Sequence, residues 1–345
     1  MRVAIIGATG VVGQTILTVL DERRVAVDTL LAYASRDRAG GIVFRGATVP
    51  VVAASIERVC ADRPDVVFFA SSDDASHEMA EALAAAGAVV IDNSSTFRLD
   101  PRVPLVVPEV NPGAIRSDDR IFPVANCTAI VLSVALAPIE RAVGLTAVRV
   151  ATYQAVSGAG RAGLETLANE ERAALAGDSA AADRPASATF AAPIFRNVVP
   201  QVGSYDGDGD TGEEQKIVAE TRKMLERPDL HVAATTVRVP VRQAHSEAVF
   251  FQTKRATSGS ELAALFAAAP GIVFHPRGIV TPLDVEGTDL VHVARVRPEP
   301  GSDTLWQMWI VGDQLRKGAA TNAVQILQTL IAQGRFSLAS GTPSR

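Results

Sequence analysis

A chain of 345 residues, 48% hydrophobic and 21% charged, can bury a large core and is long enough for two domains. Its net charge of -5 excludes the basic field that holds nucleic acid or anionic membrane without specificity, so any anion it binds must be held locally. Two cysteines, Cys60 and Cys127, are too few for a disulfide framework and lack zinc-ligand spacing, and no apolar run reaches transmembrane length.

The chain opens on MRVAIIGATG, an apolar strand entering a glycine turn, without the basic and long apolar regions of a signal peptide; a cytoplasmic protein is expected. RVAIIG, a helix through GQTILTVLDER, VDTLLAYAS, DVVFFASS, a helix HEMAEALAAAG and the strand AVVIDNS then alternate, which predicts a Rossmann-type, doubly wound parallel sheet. GATGVVG, comprising Gly7, Ala8, Thr9, Gly10, Val11, Val12 and Gly13, follows the first strand and opens a helix. Its glycines let the backbone approach a pyrophosphate at the helix N-terminus; a tight turn that serves only packing is the other reading. An NAD-specific fold places an acid at the end of the second strand, where this chain has Ser35, Arg36, Asp37 and Arg38. The hydroxyl of Ser35 and the guanidinium groups of Arg36 and Arg38 suit a 2′-phosphate, so NADP is expected, with Asp37 as the one feature pulling towards NAD.

Cys60 ends the helical stretch ASIERVCADRP and reads as a buried thiol. Cys127 lies in PVANCTAIVLSVALAPIERA, where Asn126 or Cys127 caps a buried helix running from about Thr128. A thiolate is stabilised at such a helix start; a thiol buried for packing is the competing reading. From about residue 147 the texture changes to longer alternating strands, VRVATYQAVS, HVAATTVRVPV, EAVFFQTK, LVHVARVRP and TLWQMWIVG, which predict a second, α+β domain with a mixed, largely antiparallel sheet. The expected division is 1–126 for the cofactor domain, with the amphipathic helix of 316–345 packing back on it, and 127–315 for the second domain. The Ala- and Asp-rich stretch 173–192 reads as a mobile surface excursion, and the polar tail from Thr342 as frayed.

Within RVPVRQAHSEAV, Arg238 falls inside an alternating apolar strand and needs a carboxylate, supplied either by a protein acid or by a substrate. His245 is expected in the turn that ends that strand, where an imidazole exchanges protons near neutral pH. Thr211 and Glu214 read as a capping box, which sets Glu213 and Lys216 on one face of a first helical turn, as an ion pair or as two ligand-binding groups. DGDGDTGEEQKI begins like a calcium loop at Asp206, but Thr211 and Ile217 occupy the positions of its glycine and bidentate glutamate, so no metal is predicted.

Six segments, DNSSTFRLD, ANCTA, TYQAVSGAG, TGEEQKIVAETRKML, RVPVRQAHSEAV and LRKGAATNAVQI, resemble in order and spacing the signature segments of the aspartate-semialdehyde dehydrogenase family. The likeness runs from Gly7 to Asn322. It implies Cys127 as nucleophile, His245 as general acid and base, Gln154 as the residue orienting the acyl intermediate, and Asn126 as its helper. It further implies Arg238 on the substrate α-carboxylate, Glu213 on its amino group, Arg98 and Lys216 at the phosphate, and Ser157, Gly158, Gly160 and Asn322 beside the nicotinamide. The reaction implied is NADPH-dependent reduction of β-aspartyl phosphate through a cysteine thioester, in the branch leading to lysine, methionine, threonine and isoleucine. The implied assembly is a homodimer, or a tetramer made from it. Two departures spare the reacting side chains: Val-Ala-Asn-Cys-Thr replaces Asn-Pro-Asn-Cys-Ser, and Ala244 replaces the glycine before His245. A third, the reordered 2′-phosphate segment, bears on the cofactor. The rivals are N-acetyl-glutamyl-phosphate reductase, whose acetylated substrate offers no ammonium to Glu213, and a silent paralogue serving as a binding subunit.

Overall fold

The computed structural model describes residues 1–177, 187–205, 207 and 209–336, with the side chains of Arg38 and Ala39 left aside. Residues 178–186 of the Ala/Asp-rich excursion, the tail from Thr342, and Asp206 and Asp208 of the calcium-like loop lie outside the described residues. The chain forms two compact units, one of residues 1–108, 112–124 and 320–345, the other of 109–111 and 125–319.

The first unit holds seven strands: β1 (Arg2–Ile6), β2 (Thr29–Ala34), β3 (Arg38–Phe44), β4 (Ala47–Ala53), β5 (Val66–Phe69), β6 (Val89–Asp92) and β7 (Ile121–Pro123). They lie in the order β3-β4-β2-β1-β5-β6-β7, parallel throughout except where β3 runs against β4. The central strands β5 and β6 are buried at every position, the uninterrupted apolar pattern of a sheet covered on both faces. Helices α1 (Val11–Glu22), α2 (Ile56–Asp62) and α3 (Asp73–Ala85) belong to this unit. The β3–β4 hairpin is absent from the sequence reading: Gly40, Gly41 and Pro50 blur its alternation, and it turns on Arg45 and Gly46, both at positive φ.

The second unit contains α4 (Cys127–Val143), α5 (Gly160–Leu175), α6 (Gly212–Met224), α7 (Gly259–Ala268) and the short α8 (Pro282–Val285). Its six strands are β8 (Leu145–Gln154), β9 (His231–Arg238), β10 (His245–Thr253), β11 (Ile272–His275), β12 (Val291–Pro298) and β13 (Leu305–Gly312), in the order β11-β12-β13-β10-β8-β9. Three neighbouring pairs are antiparallel and two parallel, the mixed sheet expected. The nearly all-apolar α4 covers one face of β8, β10 and β13 and is itself flanked by α6 and α7, which is why Ala129 to Ala137 are all buried. The last helix, α9 (Thr321–Ala332), belongs to the first unit and packs on α1 and β6.

Candidate active site

In the first unit a cleft of about 490 Å³ opens where β1, β2 and β5 end, lined among others by Gly7, Thr9, Gly10, Ser35, Ser71 and Ser72. Gly7 turns at φ +89°, and a Cβ there would meet the Ala70 carbonyl oxygen at 2.2 Å, so only glycine lets the two strand ends come together. A Cβ on Gly13 would lie 2.3 Å from the Gly7 carbonyl oxygen. Helix α1 starts behind Gly10 with no side-chain cap and no acid in its first turn, which includes Val11 and Val12, so its N-terminus suits an anion. The Ser71 hydroxyl is buried beside the cleft without a partner among the described residues. These features fit a dinucleotide. The backbone N–H groups of Gly7 and Ala8 donate to the Tyr33 carbonyl, at 2.9 and 3.1 Å, which ties the loop to β2.

Asp37 is engaged within the chain: its carboxylate accepts the Ala53 N–H at 2.6 Å and lies 3.7 Å from Arg58, while Arg36 is exposed. Arg38 opens β3. Arg98 donates to the Asn93 carbonyl at 2.9 Å, and buried Asn322 on α9 donates to the Val106 carbonyl at 3.1 Å. Ser35, Arg36, Arg38, Arg98, Asn322 and the glycine-loop residues belong to the first unit; the remaining candidates belong to the second.

In the second unit, three neighbouring strands deliver residues to one end of the sheet. Gln154 and Arg238 end the parallel strands β8 and β9 in register, and His245 begins β10, antiparallel to β8. His245 thus opens the next strand rather than sitting in the turn after Arg238. Asn126 is the N-cap of α4, its side chain accepting the N–H groups of Thr128 and Ala129 at 3.0 and 3.1 Å, and Cys127 is the first helical residue, half-buried. The Thr211–Glu214 capping box starts α6 as expected. One oxygen of Glu213 accepts the Asn126 amide at 2.9 Å and the Gln154 amide at 3.3 Å; Gln154 also donates to the Thr128 hydroxyl at 3.0 Å. The amide row Asn126–Glu213–Gln154 therefore converges on the start of α4.

Arg238 is buried and donates to the Ala155 carbonyl at 2.7 Å, with its guanidinium 5.9 Å from the Phe190 ring. No carboxylate lies within ion-pair distance of it among the described residues, where Glu213 is an acid whose charge reaches it. Burial lowers its pKa, opposed by the charges of Glu213 and Cys127. His245 is fully buried; its Nδ1 accepts the Ala155 N–H at 3.1 Å, so the neutral ring carries its proton on Nε2, which has no partner among the described residues. Burial, then the charge of Arg238, hold its pKa well below the usual 6.5. A Cβ on Gly158 would lie 2.7 Å from the Arg238 guanidinium and 3.4 Å from Nε2 of His245, so the glycine keeps open the space in front of both. Lys216, half-buried on α6, forms no ion pair among the described residues, which removes the Glu213–Lys216 pair as an explanation. Ser157 accepts from Gln314 Nε2, and Gly160 turns at φ +68° to start α5.

Several supporting residues escaped the sequence reading. Glu220 on α6 accepts the Asn126 N–H, and Lys317, fully buried, pairs with Glu109 at 2.6 Å. Gly318 lies against the nucleophile candidate: a Cβ there would be 2.7 Å from that of Cys127. Ala244 holds φ +66°, the left-handed region, with its N–H on Gln314 at 2.8 Å, which explains why glycine is the expected residue there.

A cofactor-type sheet joined to a second domain with a cysteine at a helix start defines an aldehyde-oxidising dehydrogenase, and the family models agree. Residues 2–118 match the semialdehyde dehydrogenase NAD binding domain, and 136–317 the semialdehyde dehydrogenase dimerisation domain. Aspartate-semialdehyde dehydrogenase of Aquifex aeolicus is 41% identical over 340 residues, covering 96% of this chain and 98% of that one; the enzyme of Streptomyces akiyoshiensis is also 41% identical, covering 96% and 99%. The crystal structure of aspartate semialdehyde dehydrogenase II complexed with ASA, from Vibrio cholerae, superposes with TM-score 0.90 at 40% identity, covering 96% and 98%. The chain belongs to the aspartate-semialdehyde dehydrogenase family.

Proposed function

We propose that this chain reduces β-aspartyl phosphate to aspartate 4-semialdehyde with NADPH, through a thioester on Cys127. The observation that carries the reading is the buried Arg238 with no carboxylate in ion-pair contact among the described residues, together with a cysteine at a capped helix N-terminus. A buried guanidinium with no direct ion pair among the described residues suits a substrate that brings a carboxylate. Glu213 uses one oxygen for the two amides, and its other oxygen faces no donor among the described residues, which favours a substrate with a free ammonium over an acetylated one.

In this reading the α-carboxylate rests on Arg238 and the ammonium on Glu213. The thiolate of Cys127, stabilised by the N-terminus of α4 and the charge of Arg238, attacks the acyl carbon. A C–S bond forms, the bond to the phosphate oxygen breaks, and phosphate leaves towards Lys216, with Arg98 as the second cation assigned to it. Gln154 and Asn126 orient the acyl group. A bound NADPH supplies the hydride that reduces the thioester. The Nε2–H of His245 hydrogen-bonds to the oxygen on which negative charge then collects; collapse of that adduct re-forms the C=O bond and breaks the C–S bond, releasing the aldehyde and the Cys127 thiolate, with no net proton taken from the neutral imidazole. Gly158 leaves room for that oxygen, and Ser157, Gly158, Gly160 and Asn322 are assigned to the nicotinamide side. The exposed Arg36, with Ser35 and Arg38, is assigned to the 2′-phosphate, since Asp37 is already bonded to Ala53 and Arg58. We assign a homodimer through the outer face of the second sheet, where Tyr153, Phe250 and Trp309 present half-exposed rings, and a cytoplasmic site of action. No described helix is long and apolar enough to cross a membrane.

The test is NADP reduction with aspartate semialdehyde, with and without phosphate, on the wild type and on Cys127→Ala. Phosphate-dependent reduction that vanishes in the variant supports the reading; an inactive wild type, or a variant that retains the rate, overturns it.

A further inference from the structure

Behind His245, on the same face of β10, stands Glu247, completely buried, with neither carboxyl oxygen bonded to any described group. Side chains two apart on a strand share a face, so Glu247 lies one layer deeper in the sheet than the imidazole. Directly across the β8–β10 pair is Thr152, also fully buried with its hydroxyl unpartnered, and two residues on from Thr152 is Gln154. Helix α4, which carries Cys127 at its start and covers these strands, contributes Ser133, buried with an unpartnered hydroxyl. Side chains directly opposite in an antiparallel pair approach closely, so Glu247 and Thr152 make one polar row beneath the row of His245 and Gln154.

A buried carboxylate needs a cation or several N–H donors. Glu247 has neither. Its cross-strand neighbour on β13 is Ile310, and β13 bears no titratable side chain. On β8 the ionisable Arg149 and Tyr153 occupy the opposite, exposed face. On α4, Glu140 and Arg141 lie at the far end of the helix, and Cys127 at the near end. Burial alone pushes the Glu247 carboxyl well above the usual 4.5.

We propose that Glu247 is a positioning residue for the reaction: an uncharged carboxylic acid whose dipole lies under His245 and keeps a second anion out of the chamber that Arg238 offers to the substrate. An ionised Glu247 would draw a proton onto His245 and compete with the substrate carboxylate for Arg238. A neutral acid does neither, yet its reorientable dipole can solvate the charge that develops at the imidazole, which an apolar side chain cannot. The functional half of this proposal rests on the dehydrogenase reading; the protonation half does not.

Three variants and two readouts test it. Infrared difference spectra of the intact protein against Glu247→Gln, taken at neutral pH without substrate, should contain the carbonyl stretch of an uncharged carboxylic acid. Glu247→Gln, neutral and equally dipolar, should keep kcat within about twofold and leave the acidic limb of the kcat/KM profile in place. Glu247→Met, of similar volume and apolar, should fold with an unchanged or higher Tm, yet lose about tenfold in kcat with KM within about twofold. Glu247→Asp, a shortened acid in the same pocket, should fall between them. Absence of the acid band, a displaced acidic limb in Glu247→Gln, or a Met variant as fast as the wild type would each overturn the proposal. Should the wild type lack dehydrogenase activity, the infrared result still decides the protonation state, so the two failures stay distinct.

Discussion

Replacing Gly318 by alanine tests whether the site depends on the placement of Cys127 to within an ångström. The added Cβ would sit 2.7 Å from the Cβ of Cys127, 3.1 Å from its Cα and 3.3 Å from its carbonyl oxygen, where ordinary contacts begin at 3.4–4 Å. Gly318 lies in the wide helical turn Arg316–Ala320, so alanine is otherwise welcome there and gains about 1 kcal/mol in helix propensity. That turn is pinned: Lys317 is paired with Glu109, and the Gly318 N–H donates to the Asp313 carbonyl at 3.0 Å. The strain therefore moves Cys127 by roughly 1 Å, at a cost of about 1–3 kcal/mol for overpacking, partly offset by the propensity gain. A nucleophile misplaced by that much loses on the order of 100-fold in rate. The expected outcome is a folded protein, its stability in urea titrations lowered by no more than about 2 kcal/mol, with kcat down by about two decades. Thiol labelling of Cys127 relative to Cys60 should change as well. If Gly318→Ala keeps kcat within about twofold, the turn yields instead of the cysteine, and the argument from close packing fails.

Asn126→Ala removes the cap of α4 and should cost about 1–2 kcal/mol in urea unfolding, while slowing thiol labelling of Cys127. Arg238→Lys cannot hold a carboxylate in two-point fashion, and should raise KM for aspartate semialdehyde by at least about tenfold; an unchanged KM would mean that the carboxylate binds elsewhere. Phe250→Asp on the half-exposed outer sheet face should shift the protein towards monomer in analytical ultracentrifugation. The pH dependence of stability has two opposed parts. His245 is held below 6.5, so as pH falls through 6.5 the unfolded chain takes up a proton that the folded one does not, and stability drops. Glu247 is held above 4.5, so as pH rises past 4.5 the unfolded chain loses a proton that the folded one keeps, and stability also drops, by about 1.4 kcal/mol per pH unit until the folded carboxyl ionises. Glu247→Gln removes only the second part, so its stability relative to wild type should climb between pH 5 and 7 in urea titrations.

Much of this site was legible in the chain because its parts are local. Asn126 before an apolar helical run identifies a cap, Thr211 and Glu214 identify another, and the glycine loop after RVAII marks a helix start open to an anion. What stayed hidden is non-local. The choice between a protein acid and a ligand for Arg238 depends on which carboxylates the fold brings near it, and period-two alternation is silent on that. Asp37 looks like an NAD signal by position, but the hydrogen bond from Ala53 on β4 comes from a hairpin that the glycine-broken pattern conceals. His245 was displaced by one element because HSEAV reads equally as a turn or as a strand start until β13 and β8 pair on either side of it. Gly318 and Lys317 are mute in sequence because their partners, Cys127 and Glu109, are almost 200 residues away or more.

The buried polar groups of the second unit fall into two kinds, and the division separates scaffold from chemistry. Asp313 accepts from the Gln243 side chain and from the N–H groups of Gly287, Leu315 and Arg316; Glu170 accepts those of Ile194 and Phe195; Glu214 accepts those of Thr211 and Thr236. Each of these acids closes a loop or a cap, and its desolvation is offset by donors that the same fold supplies. At the end of β8, β9 and β10 the arrangement is reversed. Among the described residues, Arg238 spends one bond on a carbonyl and is ion-paired with no acid, His245 leaves Nε2 unpartnered, and Glu247 leaves both oxygens so. A fold selected for stability alone would satisfy these groups or replace them with apolar residues. Arg238 and His245 stand together at one strand end, beside a cysteine that starts a helix, which is what a site looks like when the missing partners arrive with the substrate, and Glu247 lies one layer beneath them.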